Sequence, residues 1–198
     1  MQSEKELITA CLKSNREAQK RLYEKFAPDM IQICLRYCNN RFMAEEAMQE
    51  GFLSVFKHLG QLKDSTKLRA WVKQIMVNTS LMKIRKKEPL VFYSDELLDQ
   101  NQKIELFTDE SLHYKKEDLK QLFNEMPKGY KLIFNLYAFD NYSHKQIAET
   151  LNISESTSKS QLFKARNYLR IKLKELKLDC SSELPGLIGL IFTIISMR

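Results

Sequence analysis

Residues 143–170, SHKQIAETLNISESTSKSQLFKARNYLR, contain two short amphipathic patterns joined by a tight turn, and no other stretch restricts the fold as much. Ser143 stands three residues before Gln146, the spacing of a capping box in which hydroxyl and carboxamide satisfy free amides at a helix start. Ile147, Ala148 and Leu151 then form one apolar face, with Ala148 small enough to let a second helix cross closely. Asn152 tolerates the left-handed backbone that ends a helix, and Ser154 restarts one as an N-cap. The pattern predicts a helix-turn-helix.

At about 100° per residue, Ser158, Leu162, Ala165, Leu169 and Leu173 of the second helix share one narrow arc and should face a core. The opposite arc carries Ser156, Ser160, Phe163 and Asn167, flanked by Lys159, Lys164 and Arg170, so one aromatic is left with no core to enter. Serine and lysine can reach base edges and phosphates in a major groove, and an outward Phe can cover a thymine methyl. A lone basic helix face is commonly just solvated, but the turn spacing and the capped helix before it favour DNA binding. The candidate contact set on this helix is Ser156, Thr157, Lys159, Ser160, Phe163, Lys164 and Asn167.

The chain has 198 residues, 43% hydrophobic and 29% charged, enough for one or two small domains with real cores. Only five Gly and four Pro, with few alternating apolar stretches, favour an all-helical fold. A formal net charge of +7 favours an anionic partner without choosing between nucleic acid and membrane. The N-terminus, MQSEKELITACLKSN, lacks the apolar run of a secretory signal, and a cytoplasmic location is expected. Cys11, Cys34, Cys38 and Cys180 have no CxxC spacing, and Cys34 with Cys38 reads as a core pair; neither a metal site nor a disulfide is expected. His58, His113 and His144 are scattered, without HExxH, phosphate-loop or nucleophile motifs, so no enzyme site, cofactor or small-molecule substrate is expected.

From the start, Ser3-x-x-Glu6 and Ser14-x-x-Glu17 read as successive capping boxes. The first opens a short helix, and the second a helix carrying Ala18, Leu22 and Phe26 that Pro28 should break. A third would run from Met30 through Ile33, Cys34, Tyr37 and Cys38 toward Asn40. Met43–Leu59 pairs an apolar set with the acidic cluster Glu45, Glu46, Gln49 and Glu50, suited to a helix start or to docking a basic partner helix. In Ser65–Lys87, Leu68, Trp71, Val72, Ile75, Thr79 and Met82 should face inward. Beside them Lys67, Gln74, Asn78 and Arg85 project within about 40° of one another, a stripe able to grip phosphates and read exposed base edges.

Domains are expected over 1–88 and 113–178, joined by a flexible acidic linker over 89–112. The second begins with Leu119, Leu122, Phe123 and Met126 at helical spacing, then Pro127 opens a helix with Ile133, Phe134, Leu136 and Tyr137. The tail, 179–198, includes LPGLIGLIFTII, too short to span a bilayer and open to packing on its own domain, to a regulator or to weak membrane attachment.

With both basic elements in view, the chain over roughly 4–175 resembles a bacterial sigma factor of the extracytoplasmic-function type. EEAMQEGF, Glu45–Phe52, is similar to that family's polymerase-clamp motif, which implies contact roles for Glu46, Gln49, Glu50 and Phe56. RAWVKQIMVN, Arg69–Asn78, resembles its Trp-containing promoter helix, implying minus-10 recognition at Asn78 and a loop, Leu62–Lys67, that cradles a flipped base. Met126–Arg166 follows its second-domain pattern, with Lys159, Ser160, Phe163 and Lys164 at minus-35 contact positions. Met82 stands where an acid or amide is common, and Ser158 where Val is common. The resemblance implies core RNA polymerase and promoter DNA as partners, and an anti-sigma factor, membrane-bound or not. Two other readings stay open: a helix-turn-helix regulator that binds DNA without polymerase, and an RNA-binding or scaffold protein with two basic helices.

Overall fold

The computed structural model describes residues 4–38, 40–87 and 116–175. The chain divides into two compact units, 1–89 and 90–198, and the described residues of both are helical, with no strand among them. The expected linker over 89–112, the tail over 179–198 and the capping box at Ser3 lie outside the described residues.

The first unit holds α1 (Glu4–Leu12), α2 (Arg16–Tyr37), α3 (Arg41–His58) and α4 (Leu68–Lys87), with short 3-10 turns at Leu59–Gln61 and Ser65–Lys67. Helices α2, α3 and α4 pack mutually, while α1 lies against α2 and both short turns. The cap of α2 is Asn15 rather than Ser14, its side chain accepting from the Ala18 amide at 3.0 Å. Ser14 is taken by the turn that ends α1, where its φ of 57° is left-handed, and capping passes to the next residue.

Pro28 does not break the chain into two helices: α2 runs through it without interruption. An interior proline costs a helix ~3 kcal/mol. Phe26 and Met30, on either side, are each 1% exposed, and burying such side chains contributes ~1.5–3 kcal/mol apiece. Pro28 itself is exposed, so its ring meets solvent while the core face stays whole. Cys34 and Cys38 are buried as expected; burial first, then the neighbouring Cys34, pushes the Cys38 thiol up to about 11, which leaves it protonated and unreactive.

Helix α4 is turned from its expected orientation. Leu68, Val72, Met76, Val77, Leu81 and Ile84 are buried, whereas Trp71, Ile75 and Thr79 are half-buried and Met82 is 59% exposed. Two neighbours explain this, because α2 and α3 both press on α4 and widen its buried arc around the side that carries Met76 and Val77. Gly51 of α3 makes the approach possible: a Cβ there would collide with the fully buried Met76 sulfur.

The second unit holds α5 (Lys116–Glu125), α6 (Lys128–Phe134), a π turn (Asn135–Phe139), α7 (His144–Leu151) and α8 (Glu155–Glu175). Leu122, Met126, Ile133, Phe134, Leu136, Ile147 and Leu151 form its core with the predicted inward set of α8, Ser158, Leu162, Ala165, Leu169 and Leu173, all buried. Phe123, Phe134 and Phe139 make a ring triangle with centroids 5.7, 6.3 and 6.0 Å apart. The π turn, unforeseen in the pattern, continues α6 with a wider coil that closes from the Asp140 amide to the Asn135 carbonyl at 3.2 Å.

Gly51→Ala is therefore expected to cost about 1–3 kcal/mol through overpacking against Met76, read as a lowered melting temperature of the first unit. An unchanged melting temperature would show that the Met76 thioether swings aside without cost.

Candidate nucleic-acid and partner interfaces

The turn between α7 and α8 is built as its residues dictate. The Gln146 amide donates to Ser143 Oγ at 3.2 Å and the Ser143 amide to Gln146 Oε1 at 2.8 Å, a complete capping box. Asn152 is left-handed, φ 55° and ψ 50°, and its amide returns to the Ala148 carbonyl. Ser154 caps α8, accepting from the Thr157 amide at 2.9 Å, and its hydroxyl lies 2.7 Å from those of Ser156 and Thr157. Thr157 is thus drawn into the cap and half-buried, while Ser156 stays exposed.

Along α8 the exposed face is narrower than its candidate set. Lys159 is exposed and pairs with Glu155 at 3.0 Å, a surface ion pair worth little and easily exchanged for a phosphate. Phe163 is 50% exposed, so the outward aromatic is real. Ser160 is half-buried and donates to the Thr157 carbonyl at 3.1 Å; Asn167, also half-buried, accepts from Arg170 at 3.1 Å. Lys164 departs from expectation, being only 7% exposed. It sits on the shoulder of the packed face, three residues after buried Gln161 and next to buried Ala165, so its chain is spent on packing. Burial also lowers the pKa of Arg166 and Arg170 on the same helix.

In the first unit, Gln74, Asn78 and Arg85 are exposed on α4, and Lys67 is exposed in the turn before it, so the polar stripe exists as a surface. It borders the buried arc at Leu81 and faces away from that arc's centre. Asp64 fixes the approach to the stripe, accepting from the Thr66 amide at 3.0 Å and the Thr66 hydroxyl at 2.7 Å. Those bonds, with Lys67 adding less, hold its carboxyl below the usual value.

The acidic cluster on α3 has internal partners that its spacing did not disclose. Lys83 of α4 reaches Glu50 at 2.8 Å and Glu46 at 3.4 Å, and the Glu50 hydrogen bond leads in raising the lysine pKa. Glu45 is held by Arg41 at 2.7 Å. Gln49 is exposed, and Phe56 is half-buried at the end of a ring series, 6.3 Å from Phe52, which is 4.7 Å from Tyr23. Two residues of this surface were missed: Phe42, 67% exposed, and Leu53, 71% exposed, which share a helix stripe with Gln49 and Phe56. Their signal was apolar character outside the core arc.

No group of three or more His, Cys, Asp or Glu is placed to hold a metal among the described residues. No helix among them is long and apolar enough to cross a membrane.

Comparison with known proteins places both units in one family. The sigma-70 region 2 model matches residues 22–89, and the sigma-70 region 4 model matches residues 116–169. The ECF RNA polymerase sigma factor SigM of Bacillus subtilis (strain 168) is 27% identical over 75% of this chain and 91% of its own length. The RNA polymerase sigma factor SigV of the same organism is 24% identical over 87% of this chain and 94% of its own. Among solved structures, the sigma factor RpoE of Bartonella quintana, in complex with the anti-sigma factor NepR, is 19% identical over 78% of this chain and 96% of that one, with a TM-score of 0.49. With regions 2 and 4 matched in order over more than half its length, the chain belongs to the sigma-70 family, as a sigma factor of the extracytoplasmic-function type.

Proposed function

We propose that this sigma factor docks on core RNA polymerase through α3, takes up the melted minus-10 strand along α4 and reads the minus-35 duplex with α8. The observation that carries the reading is that the exposed α4 stripe and the exposed α8 face fall one in each family-matched span. Gln49, Leu53 and Phe56, with Glu46 and Glu50 beside them, give α3 a mixed apolar and acidic surface suited to a basic partner.

The mechanism follows from weak contacts used together. Each unit offers few base-reading groups, so each binds promoter DNA poorly alone; polymerase holds both at a working separation and converts the second contact into an intramolecular one. Carboxamides and cations along α4 bind unstacked bases better than paired ones, and that differential affinity favours the open strand. The chain performs no chemistry itself and uses no cofactor. It works where polymerase works, in the cytoplasm, and family membership supports an anti-sigma partner that competes for these surfaces.

Run-off transcription with purified core polymerase is the deciding experiment: specific transcripts are expected, and failure both to bind core and to initiate overturns the reading. Phe163→Ala is expected to weaken upstream duplex binding by about tenfold and Lys159→Ala to lower the salt slope by about 1, with core binding unchanged. Leu53→Asp should have the reverse profile, at least about tenfold weaker core binding with an unaltered melting temperature, since the side chain is 71% exposed. Loss of core binding in the α8 variants would contradict the division of roles.

A further inference from the structure

The contact between α7 and α8 contains a polar group that the DNA-reading face does not use. His144, the first residue of α7, places Nδ1 2.9 Å from Oγ of Ser158, and Ser158 is fully buried on α8. The imidazole stacks on Tyr137 of the π turn, with centroids 5.0 Å apart and planes at 27°. Arg166, two turns along α8, lies over the other partner in this array, 5.7 Å from the Tyr137 centroid. One ring therefore joins three elements: the π turn, the start of α7 and the first turns of α8.

We infer that His144 is a positioning residue for the reading helix: its neutral imidazole, bonded to Ser158, sets the angle at which α8 presents Ser156, Lys159 and Phe163 to duplex DNA. The inference rests on α8 being the duplex-reading helix.

A second proton on this ring is opposed from several directions. The site is desolvated, which is the largest cause of the lowered His144 pKa; Lys159 and Arg166 on α8 add like charge, and Glu155 on α8 works the other way. Tyr137 is the facing group from the π turn, Lys145 the adjoining cation on α7, and the positive end of α7 itself disfavours a cation at its first residue. A charged His144 would be pushed from Lys159 and Arg166, both on the helix it positions. Because the folded pKa is depressed, the contribution is complete above the unfolded value of about 6.5 and is lost as pH falls through the folded one.

The test uses holoenzyme reconstituted with the full chain, and a promoter fragment that this holoenzyme recovers from a random duplex library. Affinity for that fragment is expected to fall about two- to threefold as pH drops from 7.5 to 5.5, well short of tenfold because the depressed folded pKa leaves much of the ring neutral at the lower pH, while His144→Gln, whose carboxamide can still bond Ser158, gives a flat profile. A fork template lacking the upstream element should show no such fall in either protein. Equal pH profiles for the chain and His144→Gln would overturn the inference. Independently of DNA, the His144 imidazole followed by NMR should titrate below the ordinary histidine range; a midpoint within or above that range would also overturn it. A holoenzyme that recovers no fragment would instead count against the sigma reading, and the NMR titration would still decide the pairing.

Discussion

Helix α4 is gripped on two sides at once, and the exposed groups of α3 and α4 take their positions from that grip. Leu68, Val72, Met76, Val77, Leu81 and Ile84 bury themselves against α2 and α3, each contributing ~1.5–3 kcal/mol by area burial. The Lys83 bridges to Glu46 and Glu50 are far smaller, since both carboxylates are substantially exposed and such pairs are worth at most ~1 kcal/mol. Burial therefore sets the geometry, and the ion pairs refine where the carboxylates point. The close crossing at Gly51 ties the acidic surface of α3 and the polar stripe of α4 into one rigid body, so a partner seated on α3 also places α4.

The second unit solves a related problem with a different device. Helix α8 spends one arc on the core and leaves a narrow exposed strip, which is narrow because cap and packing claim its margins. Thr157 belongs to the cap, Lys164 to the packed shoulder, and Ser160 and Asn167 are engaged within the helix. Of the candidate contact set, Ser156, Lys159 and Phe163 remain as the outward groups, and the proposed mechanism therefore adds a second contact from the other unit.

Much of this was legible in residue order. The capping box at Ser143, the left-handed Asn152 and the inward set of α8 follow from local rules, and those rules won because nothing in the tertiary structure opposes them. The misjudged places are where a neighbour intervened. Pro28 lies within an unbroken helix because Phe26 and Met30 are held from outside it. Periodicity gave α4 one partner, and two partners turned its buried arc toward Met76 and left Met82 exposed. The Lys83 bridges to Glu50 and Glu46 were not legible, because spacing along one helix cannot reveal a carboxylate on another. The π turn has no composition signature, and it is what brings Tyr137 to His144.

The central claim is that two separate surfaces act on one promoter only when polymerase carries them. Footprinting a promoter with the chain alone, with core alone and with the assembled holoenzyme, with permanganate added to mark unpaired thymines, tests it directly. The expected result is upstream protection together with permanganate-reactive thymines downstream in the holoenzyme only. A stable upstream footprint from the chain alone, or a holoenzyme footprint without strand opening, would contradict the account.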